Sequence, residues 1–190
     1  MLNASPIARP LGFTLIEMLI VIAIIAIATT LGIPSYRAWV QNTQIYNAAE
    51  SVLNGLQKAR AEAVKQNANI EFVLGIDPLT HLFTNPSWKI QVAGAGAVIE
   101  ASTTEVSKNV TGTATPANAT TVTFSNLGGV VTNADGTASL RQINFNSVVL
   151  PTSSRNLTVT IGISGVGSNV RMCDPDPILA AKVPPDPRKC

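Results

Sequence analysis

Histidine and charge are the scarcest materials in this chain. Its 190 residues include a single histidine, His81, and only 13% of them are charged. One histidine gives a Ser-His-acid or Cys-His nucleophilic arrangement little to work with, so the sequence argues against an enzyme. A formal charge of +2 is too small to argue by itself for nucleic acid or anionic lipid. Cysteine is limited to Cys173 and Cys190, both in the last 18 residues. If the body of the protein leaves the cytoplasm, they read as one disulfide closing a C-terminal loop, worth roughly 3 kcal/mol in the chain-entropy treatment. The alternative is two unpaired thiols. No four-ligand spacing supports a metal, with His81 far from both cysteines. The glycines of "GAGAV" and "LGGVV" precede no helical pattern, so they offer no phosphate cradle. Asp174, Asp176 and Asp186 suggest an ion only until their Asp-Pro context is read as turn chemistry with no glycine-centred liganding loop. No cofactor is expected.

What the chain does have is a block of aliphatic side chains, concentrated in its first 33 residues. Phe13 to Ile33 is 21 residues, and as a helix that is about 31 Å, close to the hydrocarbon thickness of a bilayer. Within it stands Glu17, and a carboxylate in such a segment costs about 2.5–3.5 kcal/mol on insertion scales. Three readings compete: a secretory signal with Arg9 as its positive region and "AIA" at 26–28 as its cleavage site, a plain membrane anchor, or a helix that later packs against copies of itself. Glu17 counts against the first two, since neither needs a charge at the mouth of the apolar run.

The sequence beyond the run also opposes simple cleavage. From Tyr36 to Lys65 there is no proline, one glycine (Gly55) and many helix formers. Ile45, Ala48, Ala49, Val52, Leu56, Ala59 and Ala63 recur at three- and four-residue spacing and predict one narrow buried stripe. The two runs read as one helix about 75–80 Å long. Only Gly32 and Pro34 interrupt it, and a proline there removes one ladder bond and permits a kink.

Gly12-Phe13-Thr14-Leu15-Ile16-Glu17, followed by the apolar run and Pro34, resembles the class III signal of type IV pilins and type II secretion pseudopilins. The resemblance covers residues 12 to about 66. It implies that a prepilin peptidase cuts between Gly12 and Phe13 and methylates the new amine of Phe13, leaving Glu17 as the fifth residue of the mature chain. It also implies that the helix bends or melts near Pro34. The cost of Glu17 then has a use. Beside the Phe13 amine of a neighbouring subunit the carboxylate is neutralised, so that only the correctly staggered neighbour removes the penalty. Cleavage also removes Arg9, the sole charge of residues 1–12, which holds the N-terminus on the cytoplasmic side and leaves the head outside.

Past residue 70 the usage shifts to Thr, Val, Asn, Gly and Ser, typical of short strands and turns. "IEFVL" (70–74), "WKIQVA" (88–93), "AVIEA" (97–101), "TTVTFSNLGGVV" (120–131), "RQINFNSVVL" (141–150), "NLTVTIGISG" (156–165) and "SNVRMC" (168–173) read as strands. Residues 75–86 read as a loop carrying His81, and 102–119 as a mobile connection. The predicted class is α+β: a long N-terminal helix, membrane-spanning in its first half, packed on an antiparallel sheet or sandwich head. The expected divisions are a leader over 1–12, a membrane and assembly helix over 13–34, its amphipathic half over 35–67, and a head over 68–190 with a loop over 173–190.

"ARAEAVKQN", "VTFSNLGGV" and the closing "VRMCDPD…DPRKC" resemble the GspH/FimT/FimU branch of minor pilins and pseudopilins, whose head has two small sheets behind the helix. This implies a minor type IV pilin that primes or caps the fibre. The rivals are a type II secretion pseudopilin, a major pilin, and an ordinary secreted domain. The resemblance implies as partners other pilins through the N-terminal helix, the peptidase and methyltransferase, and inner-membrane lipid. The location is a single pass in the inner membrane with a periplasmic head, then the filament. Some FimT-type relatives take up DNA through a Gly-Arg-x-Arg stretch; here only Arg171 of Ser168-Asn169-Val170-Arg171 remains. Arg171, Lys182, Arg188 and Lys189 surround the C-terminal loop and can touch phosphates, but Asp174, Asp176 and Asp186 cancel much of their field, so DNA is not favoured.

Overall fold

The computed structural model describes residues 12–75, 82–84, 86–94, 96–102, 109–152, 154–164, 167–182, 184 and 186–190. Arg9 and the rest of the predicted leader before Gly12, His81 and most of the predicted 75–86 loop, and Ala95 lie outside them. Helix α1 spans Leu15–Gln66 and keeps helical residues on both sides of Gly32 and Pro34. Pro34 lacks the amide that would reach the Thr30 carbonyl, so one ladder bond is missing there. The chain forms two compact units, Met1–Arg37 and Ala38–Cys190.

In the first unit no described residue from Gly12 to Tyr36 is buried. The second unit is organised by the later part of α1. Ile45, Ala48, Ala49, Val52, Leu56, Ala59 and Ala63, the predicted stripe, are all fully buried. The stripe is narrow and made mostly of small side chains. Gly55 marks the tightest approach: a Cβ there would lie 2.9 Å from both the Phe72 and the Trp88 rings. Those rings are stacked at 5.8 Å between centroids, and the Trp88 indole N–H donates to Ser51 Oγ at 3.1 Å.

Among the described residues ten strands follow: β1 Ile70–Leu74, β2 Leu82–Thr84, β3 Trp88–Val92, β4 Val98–Ala101, β5 Val110–Thr115, β6 Thr121–Phe124, β7 Val130–Val131, β8 Gln142–Ser147, β9 Leu157–Ser164 and β10 Gly167–Cys173. They form two five-stranded sheets, ordered β4-β3-β1-β6-β7 and β10-β9-β8-β5-β2, every pair antiparallel. The core joins both. Phe72, Ile90, Val122 and Phe124 come from the first sheet, and Val110, Ile143, Phe145 and Val159 from the second. The fold is α+β with an antiparallel head, as the strand pattern predicts.

Four local expectations are corrected. The 102–119 stretch is not merely a connection, because β5 lies within it and sits between β8 and β2. Its threonines are β-branched strand formers, and Val110 and Gly112 turn inward and are buried. The 75–86 loop contains β2, which is too short at three residues for a period-two signal to show. The strand predicted over 141–150 stops at Ser147. Its hydroxyl accepts the amides of Val149 and Leu150 and turns the chain out of the sheet. Of the three Asp-Pro pairs in the tail, the first is a turn, with Asp176 N donating to Asp174 Oδ1 at 3.1 Å. The second starts helix α2, Pro177–Ala181, with Asp176 capping the Ile178 amide and Pro177 at the first helical position.

Candidate functional site

The site with a chemical reason to exist is the mouth of α1. Thr14 precedes the first helical residue, and its hydroxyl accepts the Glu17 amide at 3.3 Å. Glu17 reaches back, its Oε2 accepting the Thr14 amide at 3.5 Å. This reciprocal pair is a capping box, satisfying two of the four backbone donors that every helix start leaves open. The anion also lies at the positive end of the helix dipole. Glu17 therefore has a local use besides the predicted intermolecular one, and Thr-x-x-Glu before an apolar run is the sequence signature of that local use.

Glu17 is the only ionisable side chain between Phe13 and Tyr36. The other polar groups of the run are satisfied within it. Thr29 Oγ1 donates to the Ile25 and Ala26 carbonyls at 2.9 Å each, and Thr30 Oγ1 to Ile27 at 2.8 Å. A helix whose hydroxyls are internally bonded and whose surface is aliphatic suits lipid, where no water is present to satisfy strays. The segment is the one described helix long and apolar enough to cross a membrane, with a mean hydropathy of 2.5 over its best window. Phe13 is 81% exposed, and Gly12 has open space around it. Both residues flanking the predicted cut are therefore accessible.

The C-terminal candidates group differently. Cys173 and Cys190 form a disulfide. The tail it anchors pairs with the end of β10: Asp174 N donates to the Arg188 carbonyl at 2.7 Å and Cys190 N to the Asp174 carbonyl at 3.1 Å. Buried Asp174 is ion-paired with Arg155. Asp186 accepts from Arg188 at 2.9 Å and lies 3.6 Å from Lys182. The Arg188 side-chain and backbone donors hold the Asp186 carboxyl well below the usual aspartate range, and Asp186 in turn raises Arg188. Two of the four cations considered for DNA thus already face one carboxylate. Lys189 makes a bridge with Asp174 through its backbone, while Arg171 stands exposed on β10. A cleft of about 380 Å³ beside the disulfide is lined by Asn42, Tyr46, Leu157, Met172 and the Arg155–Asp174 pair, so its main charges are matched internally. Among the described residues no group of three or more His, Cys, Asp or Glu side chains is placed to hold a metal.

A family model described as type II transport protein GspH matches residues 48–165, and one described as the prokaryotic N-terminal methylation motif matches residues 8–33. No curated protein sequence matches. Two crystal structures of the type IV minor pilin FimU of Pseudomonas aeruginosa are similar to this chain. One has 21% identity over 65% of this chain and 90% of that one, with a TM-score of 0.43. The other has 17% identity over 70% and 92%, with a TM-score of 0.45.

Proposed function

From the premise that the chain belongs to the GspH family of type II transport proteins and carries the N-terminal methylation motif, we propose that it is a minor type IV pilin, made as a prepilin, that primes or caps its fibre. In this reading the leader is removed between Gly12 and Phe13, Phe13 is N-methylated, and residues 13–34 hold the subunit in the inner membrane until it enters the filament. The head then faces the periplasm. The role is structural, and no catalytic step is assigned to it.

The observation that carries the reading is the Thr14–Glu17 box at the mouth of a wholly exposed apolar helix. Cleavage before Phe13 creates a cation one residue ahead of that box. In a bundle of such helices the Glu17 carboxylate of one subunit meets the Phe13 amine of the next, and the low dielectric around them strengthens the attraction. Breaking such a pair by misregister leaves an uncompensated charge, which is the best-attested use of buried ionic groups in helix assemblies. Gly32 and Pro34 supply a point of give as the helix packs.

Mass spectrometry of the protein from its native membrane tests the processing. The expected N-terminus is a methylated Phe13; a terminus near Thr29 means that a conventional signal peptidase acted and overturns the reading. A second reading, a pseudopilus subunit of a type II secretion system, is favoured by the description of the matched family. A deletion strain separates the two: loss of surface fibres and twitching supports the pilus, and loss of exoprotein release with fibres intact supports the pseudopilus.

A further inference from the structure

The end of the head nearest in sequence to the apolar helix carries an apolar turn that the head's own fold leaves outside. After β8 the chain passes through Val148, Val149, Leu150 and Pro151, and Val148 and Val149 are 54% and 56% exposed. The turn is firmly built. Buried Ser147 donates its hydroxyl to Gln41 Oε1 at 2.9 Å and accepts the amides of Val149 and Leu150 at 3.1 and 3.0 Å. Val148 N donates to the Asn109 carbonyl at 2.9 Å, and Arg155 N to Asn42 Oδ1 at 2.8 Å. Its base is therefore pinned to Gln41 and Asn42, at the start of the head's own stretch of α1, just after exposed Trp39.

Three features of this edge fit a bilayer surface better than a second protein copy. Its charge balance is slightly positive: Arg37 is the only charged residue in 34–49, and Arg155, the only one in 142–157, is matched by Asp174. Trp39 has the amphipathic ring that collects at headgroup level. The tether is short as well. Gln41 follows Ile33 by eight residues, which reach at most about 28 Å even when extended. The turn's anchor at Gln41 is therefore never farther than that from the end of the apolar run.

We propose that the Val148–Val149 turn is a second membrane contact, seated in the headgroup–acyl boundary of the leaflet from which α1 emerges while the subunit resides in the bilayer. Two adjacent valines held by a rigid base, with Arg155 matched by Asp174 and no unpaired acid beside them, form a small interfacial wedge. The proposal rests on the reading of residues 13–34 as a membrane span. The head also provides a control of matched chemistry. Leu127 is 72% exposed in a turn held to Asn67 by Asn126 at 2.9 Å, just past the far end of α1, about 37 Å along that helix from Gln41.

The test uses the full-length chain, whose two native cysteines are both in the disulfide. Ile24→Cys, Leu127→Cys and Val149→Cys variants are spin-labelled one at a time and reconstituted into phosphatidylethanolamine–phosphatidylglycerol vesicles. Collision with dissolved oxygen is then compared with collision with a water-soluble nickel chelate. The expected result is a lipid-like ratio at Ile24, a water-like ratio at Leu127, and a ratio at Val149 several-fold above that of Leu127. If Val149 reads as Leu127 does while Ile24 reads lipid, the wedge is refuted and the membrane span stands. If Ile24 itself reads water, the span fails and takes the wedge with it. A Val149 label shielded from both reagents, with spectra that change with protein density, assigns the turn to a second copy and also refutes the proposal.

Discussion

The two stretches of α1 use the same aliphatic alphabet under opposite rules. From Leu15 to Ile33 the side chains are apolar on all sides apart from Glu17, Thr29 and Thr30, and none of them is buried. From Ile45 to Ala63 most apolar residues keep to one stripe, every member of which is fully buried, with Tyr46, Leu53 and Ala61 off it. Periodicity, more than hydrophobic content, separates a helix that completes its own domain from one that must be completed from outside. The head satisfies itself. The first stretch has only its capping box and its threonine back-bonds, so its solvent has to be lipid or other helices.

The largest effect that can break this contrast is at Glu17. Glu17→Ala is expected to leave the thermal melting of the head unchanged and to remove the subunit from sheared filaments. Because Glu17 also caps its own helix, a second variant is needed to separate the two roles. Glu17→Gln keeps an acceptor for the Thr14 amide but has no charge to offer a neighbour's Phe13 amine. It should fail in filaments as the alanine does. Normal incorporation of the glutamine variant would assign Glu17 to capping alone and remove the registry role.

Next in size is a paired truncation, one in each stretch. Leu56→Ala opens a cavity in a fully packed core and should lower head stability by about 2–5 kcal/mol. Ile24→Ala should not move the same unfolding curve. Gly55→Ala tests the close approach directly. Its methyl would lie 2.9 Å from two rings, and overpacking of this kind costs about 1–3 kcal/mol despite alanine's better helix propensity. A stable Gly55→Ala head would show that the Phe72–Trp88 pair yields more readily than a packed core should.

The parts of the molecule that repeat were legible from sequence, and the parts held by single side chains were not. The stripe from Ile45 to Ala63 and strands such as "INFNS" declare themselves by period, because each position is fixed by the face it occupies. β5 did not, since its threonines and glycine look like linker until a partner strand covers Val110 and Gly112. Glu71 was equally opaque. It sits in β1 with both faces covered, 7% exposed, accepting from Gln91 at 3.0 Å. Nearby, Asn133 accepts from Thr123 and donates to the Thr121 carbonyl, tying the 132–139 segment to β6. Such polar pairs are long-range in the chain and leave no local pattern. At the candidate site the reverse held. Gly12, Phe13 and Glu17 stood out by motif, and the Thr14–Glu17 box was written in the same letters without being read.

A smaller effect sharpens the claim that the head is self-sufficient. Replacing both Cys173 and Cys190 by serine should cost about 3 kcal/mol at most, the value for a closed loop of this length, and should release the tail from Asp174. The core between α1 and the sheets should remain. If near-ultraviolet circular dichroism of the double variant loses the Trp88 signal below its melting point, the disulfide supports the core as well as the tail.

The smallest effect concerns pH at the same tail. Hydrogen bonds from Arg188 depress the Asp186 carboxyl, so the folded state binds that proton less readily than the unfolded chain does. The contribution is therefore complete above the ordinary aspartate pKa, about 4, and is lost as pH falls through the lower folded value. The Asp186 side chain is largely covered, but Arg188 and Lys182 are open to solvent, and salt screens much of their attraction for it. The response should accordingly appear as local fraying of the last five residues and not as unfolding. Followed by nuclear magnetic resonance, the Arg188 amide, which donates to Asp186 Oδ1 at 3.0 Å, should titrate with a midpoint below that of a free aspartate, and Asp186→Asn should abolish the titration. A midpoint at the free-aspartate value would mean that Arg188 and Lys182 are not engaged in solution. That would return two cations to the surface and strengthen the case for phosphate contact around Arg171.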